Sequence, residues 1–128
     1  MKIRTLDDYD VKGKTVLLRV DMNVPIDPDT KKITGNKRIE DVSITIKALD
    51  GAKIVVISHQ GRVGRDDFVG MENHAKELEK FCGKKVRYVS DVIGTHAKNE
   101  IKNMNSNEII LLDNLRLCAE ENYEFTLE

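Results

Sequence analysis

The residues able to do chemistry cluster at the ends of short apolar runs. Arg19, Asp21 and Asn23 close the first run, Ser58, His59, Gly61 and Arg62 the second, and Asp113, Asn114 and Arg116 the last, while Lys37 and Arg38 open the first helical stretch. Guanidinium forks bind phosphate and carboxylate oxygens in pairs, and helix starts add aligned N–H groups, so this set suits an anion. Taken singly, each arginine is an ordinary solvated charge. Of seven arginines, however, Arg38, Arg62 and Arg116 occupy strand exits or a helix start and Arg19 ends a strand, so the cluster implies a polyanionic small molecule.

Asp21 and Asn23 project to the same side of an extended backbone and could grip a hydroxyl and a carboxylate, or simply form a turn before Pro25. A phospho-accepting aspartate at Asp21 would want a second Asp two residues on, and Asn23 stands there. His59 can serve structure or donate to a phosphate oxygen, and Gly61 permits a tight turn beside it. His74 and His96 sit in helical patterns without partners and receive no role. Gly13-Lys14-Thr15 mimics the tail of a phosphate-binding loop, but the strand follows it instead of preceding it. Arg65, in VGRDDFVG, reads as solvated, and Asp27-Pro28-Asp29 as a turn. Cys82 and Cys118 are far apart with no CxxC and no Cys/His cluster, so neither a disulfide scaffold nor a zinc site is supported.

Strands are expected at Thr15 to Val20, Lys53 to Ser58, Lys85 to Val89 and Glu108 to Leu112. These nearly continuous β-branched runs suit a parallel sheet covered on both faces. Between them, Ile39, Val42, Ile46 and Leu49 mark a helix over Arg38 to Leu49, with Asn36 as its N-cap and Gly51 past its end. Met71, Ala75, Leu78 and Cys82 mark a second helix stopped by Gly83, and Ile93, Ala97, Ile101 and Met104 a third whose opening at Gly94 is either cap or loop. The alternation predicts an α/β fold, a three-layer α/β/α sandwich with a mainly parallel, Rossmann-like sheet. In such a sheet ligands bind beyond the carboxyl ends of the strands, where the polar residues above collect.

The chain has 128 residues, 40% hydrophobic, with 21 Lys and Arg against 22 Asp and Glu. That is one domain's worth of chain with enough apolar content for a core. A net charge of -1 argues against a sequence-blind nucleic-acid binder. No apolar run reaches the roughly 18 residues of a membrane span, and the start MKIRTLDDYD lacks a signal-peptide h-region, so a soluble cytoplasmic protein is expected. Phe125 and Leu127 look like the opening of an amphipathic element without a stop, which suggests a truncated chain.

RVDMNVP at Arg19 to Pro25, KRIEDVSITIKAL at Lys37 to Leu49, ISHQGR at Ile57 to Arg62 and LLDNLRLCAEEN at Leu111 to Asn122, in this order, resemble the amino-terminal part of phosphoglycerate kinase, archaeal type. The resemblance implies that residues 1–128 are the 3-phosphoglycerate-binding domain of an enzyme that exchanges a phosphoryl group between 1,3-bisphosphoglycerate and ADP in glycolysis and gluconeogenesis. It implies Asp21, Asn23 and Arg38 at the carboxylate and hydroxyl end, Arg38 also as the catalytic cation, and His59, Arg62 and Arg116 at the non-transferring phosphate. Met22, Gln60 and Gly61 complete the implied contact set. Arg19 is expected to orient Asp21 from beneath. Mg-ATP or Mg-ADP would be bound by a separate nucleotide domain, so the 128 residues alone should not turn over. Val63 stands where the family usually has Pro, Leu117 where it often has Phe, and Asp113 where it often has Glu. A non-catalytic anion-binding α/β module is the competing reading.

Overall fold

The computed structural model describes residues 1–124, so Phe125 and Leu127 lie outside the described residues. Four strands, β1 (Thr15–Arg19), β2 (Lys53–Ile57), β3 (Val86–Val89) and β4 (Ile109–Leu112), alternate with helices α1 (Lys37–Ala48), α2 (Glu72–Cys82) and α3 (Thr95–Lys102). All strand pairs are parallel, in the order β1-β2-β4-β3. Two steps run one way across the sheet and the third returns. With right-handed crossovers, that reversal must put α1 and α2 on one face and α3 on the other.

The packing follows the topology. Ile54, Val56, Ile109, Leu111 and Val86 point to the α1/α2 face and join Ile39, Val42, Ile46, Ala75, Leu78 and Cys82 in the larger core. Val55, Ile110, Leu112 and Val89 alternate to the other face, where Ala97 and Met104 cover them. Central β4 is buried at every position, whereas edge strand β1 alternates and leaves Leu17 66% exposed, because α3 does not reach that far. The expected three-layer α/β sandwich is therefore observed, with four strands and three helices close to the expected bounds.

Two helix starts differ in detail. Asn36 holds the N-cap position of α1, but its side chain makes no cap bond and its amide reaches Glu77 Oε2 at 3.4 Å. For α3, Gly94 is the N-cap and Asp91 does the capping, accepting from the amides of Val92, Gly94 and Ala97 at 2.8, 3.2 and 2.8 Å. Those bonds hold the Asp91 carboxyl below its usual range. Ile93 precedes that helix and is 65% exposed, so it contributes nothing to the stripe expected of it. Gly83 ends α2 in the left-handed region, φ 65°, with its amide on the Glu79 carbonyl.

Candidate anion-binding site

Strands β1, β2 and β4 are consecutive neighbours in the sheet, so their exit loops emerge side by side, about 4.8 Å apart per strand. The β3 exit lies at the far edge and supplies none of the candidate cations. This order explains why the polar exits read from the sequence come from the first, second and fourth strands.

A chain of hydrogen bonds links these loops. Arg38, in the first turn of α1, donates from Nη1 to Asp21 Oδ1 and Oδ2 at 3.1 and 3.0 Å and to the Asn23 carbonyl at 3.0 Å. Asn23 Oδ1 accepts from the Gly61 amide at 3.0 Å, and the Gly61 carbonyl accepts from Arg116 Nη1. Arg38, Asn23, Gly61 and Arg116 are thus joined in series from one loop to the next. Asp21 also accepts from the Asn23 amide at 3.0 Å, a local turn that fixes the pair. The turn reading and the ligand reading of Asp21 and Asn23 are compatible in one geometry.

Gly61 is confined twice over. Its φ is +67°, and a Cβ there would stand 2.6 Å from the carbonyl carbon and oxygen of Asp67. Its loop folds back so tightly that only hydrogen fits.

Arg62, exposed, and Arg116 share the wall of an open cleft of about 790 Å³, together with Glu121 and Tyr123. Arg38 borders a separate depression of about 380 Å³ with Asp21 and Thr45, so the hydrogen-bond chain, not a common cavity, connects the two halves. His59 lies between them. Burial pulls its pKa below the usual value, and Arg116 and Arg19 pull it further against the opposing charges of Asp21 and Glu121. Arg19 does not orient Asp21: it pairs with Glu121, which correspondingly titrates below the usual carboxylate range. Glu121 stands on the turn Ala119–Asn122, which follows β4.

A family model described as phosphoglycerate kinase matches residues 6–127. The chain belongs to the phosphoglycerate kinase family. It is 45% identical over 122 residues to a phosphoglycerate kinase of Methanosarcina mazei, covering 95% of this chain and 29% of that relative. It is 48% identical over 119 residues to one of Methanococcus maripaludis, covering 91% and 29%. The crystal structure of phosphoglycerate kinase from Pyrococcus horikoshii OT3 superposes with a TM-score of 0.87 at 35% identity, covering 97% of this chain and 31% of that one. The chain therefore spans less than a third of the length of these relatives.

Against the phosphoglycerate kinase expectations, two side chains change role. Met22 and Gln60 are both 0% exposed, so neither side chain has surface to offer a ligand. Met22 fills the larger core, its amide on Ser58 Oγ at 3.0 Å, and Gln60 is consumed by loop backbones. One of the polar strand-exit residues proves structural to the site. Asn114, also 0% exposed, accepts from the Gln60 and Arg116 amides and donates to the Gln60 and Val69 carbonyls, tying the β4 exit to the β2 exit. Its place after a strand was readable; its burial was not. The departures are benign: Val63 and Leu117 are 63% and 57% exposed, and Asp113 accepts from the amides of Met71 and Asn114.

Proposed function

We propose that this chain is the glycerate-holding part of a phosphoglycerate kinase, an enzyme that reversibly moves a phosphoryl group between 1,3-bisphosphoglycerate and ADP, yielding 3-phosphoglycerate and ATP in glycolysis and gluconeogenesis. The observation that supports this reading is the hydrogen-bonded series from Arg38 through Asn23 and Gly61 to Arg116, which ties together the loops that carry Arg38, Arg62 and Arg116. Arg62 and Arg116, with His59 beside them, take the non-transferring phosphate. Asp21 and Asn23 take the hydroxyl and carboxylate end.

Arg38 uses Nη1 on Asp21 and Asn23, which leaves Nη2 and Nε without hydrogen bonds among the described residues. Those donors are aimed by the Asp21 anchor at charge developing on the group in transfer. Phosphoryl transfer through a loose transition state asks for alignment and dispersed positive charge more than for a covalent intermediate, so a fixed guanidinium suits it. The substrate carboxylate is itself the attacking group, and no protein nucleophile is required.

Among the described residues no three His, Cys, Asp or Glu side chains group together, and no step is assigned to magnesium here. Mg-ATP or Mg-ADP belongs to another part of the enzyme. Among the described residues no helix is long and apolar enough to cross a membrane, and a cytoplasmic site of action is part of the same proposal.

The test is thermal. At 100 times its dissociation constant, 3-phosphoglycerate should stabilise the folded chain by about 2.7 kcal/mol, and Arg62→Ala should abolish the shift without lowering the ligand-free melting temperature. A folded chain unmoved by any phosphorylated three-carbon acid would sink the reading.

A further inference from the structure

Beneath the cationic loops lies a buried pair that the binding chemistry leaves unexplained. Gln60 and His74 are each 0% exposed. Gln60 Oε1 accepts from the Val24 amide at 2.9 Å and contacts His74 Nε2 at 2.9 Å, while its Nε2 donates to the Val24 carbonyl at 3.0 Å and the Asp67 carbonyl at 3.2 Å. One amide therefore clasps the loop leaving β1 by both backbone groups of Val24, and also closes the far end of the loop leaving β2.

That clasp works in one orientation only. Rotated by half a turn, the Gln60 amide would set N–H against the Val24 N–H and its oxygen against two carbonyls. Val24 and Asp67 favour the first orientation, and an Nε2–H on His74, which requires an acceptor, adds a further bond that holds Oε1 towards Val24. The neutral ring must then carry its proton on Nε2, which leaves Nδ1 as a bare acceptor, and Nδ1 is the one buried side-chain polar atom without a partner among the described residues.

We propose that His74 is a positioning residue of the anion site: through Nε2–H it locks Gln60, and through Gln60 it couples α2 to the loops that carry Asn23 and Arg62. Asn23 directly precedes Val24 and accepts the Gly61 amide, so release of Val24 loosens the series that ends at Arg116. The consequence for 3-phosphoglycerate rests on the function proposed above. The coupling between α2 and the loops does not.

The experiment uses the 128-residue chain, labelled with 15N. Imidazole nitrogen shifts of His74 near neutral pH should report the Nε2–H tautomer; the Nδ1–H tautomer would overturn the proposal whether or not any variant folds. His74→Phe keeps the ring and removes the donor. Hydrogen exchange at the Val24 and Gly61 amides should then quicken about tenfold, the equivalent of one buried hydrogen bond, while Val55 and Leu78 keep their protection. Affinity for 3-phosphoglycerate should fall by a similar factor. His74→Gln, which returns an amide N–H to the position of Nε2, should restore exchange and affinity together. Unchanged exchange at Val24 and Gly61 in His74→Phe, or no recovery in His74→Gln, overturns the proposal. A wild-type chain that shows the predicted exchange changes on mutation but never binds 3-phosphoglycerate supports the coupling and overturns the proposed function instead.

Discussion

Both ends of the sheet carry clustered cations, but only one end is built to hold them in place. At the amino ends of the strands stand Lys12, Lys14, Lys53, Lys84 and Lys85. At the carboxyl ends stand Arg19, Arg38, Arg62 and Arg116. The amino-end turns are joined mainly by backbone bonds, such as Gly13 to Gly51 at 2.9 Å and Lys53 to Lys14 at 2.8 Å, with Asn107 Oδ1 on the Gly51 amide. The carboxyl-end loops are joined by side chains. Of the five buried polar side chains among the described residues, Ser58, Gln60, His74 and Asn114 lie beneath them, and Ser43 lies elsewhere. Buried polar groups are expensive unless every bond is met, so their concentration at one end marks where the molecule fixes loop geometry for a reason other than stability. Charge alone would have pointed to either end.

The comparison breaks most sharply at glycine. Gly61 and Gly13 have nearly the same φ, +67° and +71°, but a Cβ on Gly61 would collide with the Asp67 backbone at 2.6 Å while one on Gly13 meets nothing within 4 Å. Gly61→Ala should cost roughly 4 kcal/mol, about 2 from left-handed strain and about 2 from overpacking. Gly13→Ala carries the strain alone, about 1–2 kcal/mol. Urea midpoints at unchanged m-value measure both, and equal losses would mean that the carboxyl-end loop is no tighter than the amino-end turn.

Acid is the next largest lever. Burial pulls the His74 imidazole from its ordinary 6.5 down to about 4, with the Met22 backbone opposing. Between those two values the unfolded chain binds a proton that the folded chain refuses, so stability is full above pH 6.5 and falls as pH drops towards 4. The shift corresponds to a loss on the order of 3 kcal/mol. In His74→Gln this part of the acid dependence should vanish, leaving a flatter profile of melting temperature from pH 6.5 to 4.5. A profile of unchanged slope would show that His74 is already solvated in the folded chain.

Much of this contrast was readable from residue types, and part of it was not. Strand positions and the sandwich followed from apolar runs such as IVVI and IILL, because a doubly covered strand leaves a local signature. The rim followed from polar residues at strand ends. What escaped was long-range pairing. Gln60 looks like a ligand-facing residue beside His59 until the fold brings Val24 and His74 against it, and His74 looks partnerless because its partner is fourteen residues away on another element. Arg19 is expected on Asp21, its near neighbour, and finds Glu121 a hundred and two residues on. Local pattern records which face a residue takes; it does not record what waits across the loop.

His59 sharpens the comparison through ligand binding. Its pKa is lowered by burial and by Arg116, so near neutral pH it is uncharged and gains a proton only as pH falls. An anion seated beside Arg116 would raise that pKa again, so binding takes up a proton and tightens towards acid, by at most tenfold per pH unit for one group. Sulfate keeps a constant charge over this range and isolates the effect. Sulfate affinity should rise between pH 7.5 and 5.5 in the wild-type chain and lose that rise in His59→Gln. A pH-independent affinity would remove His59 from the site.

The smallest effect is expected at the amino end, and its smallness is informative. Lys84 Nζ sits 2.8 Å from Asp50 Oδ1, yet the two side chains are 44% and 77% exposed. Water screens such a pair and supplies either partner with hydrogen bonds when the other is removed, so the net gain from the contact is small. The Lys84→Ala chain should keep the wild-type urea midpoint and the wild-type sulfate affinity, and should do so at both low and high salt. Loss of sulfate binding in this variant would make the lysine-rich end a second anion site, and the division between a built end and a merely charged end would fail. An unchanged variant, set beside Arg62→Ala, would show that a cation contributes to binding here only when the loop beneath it is held by Gln60 and Asn114.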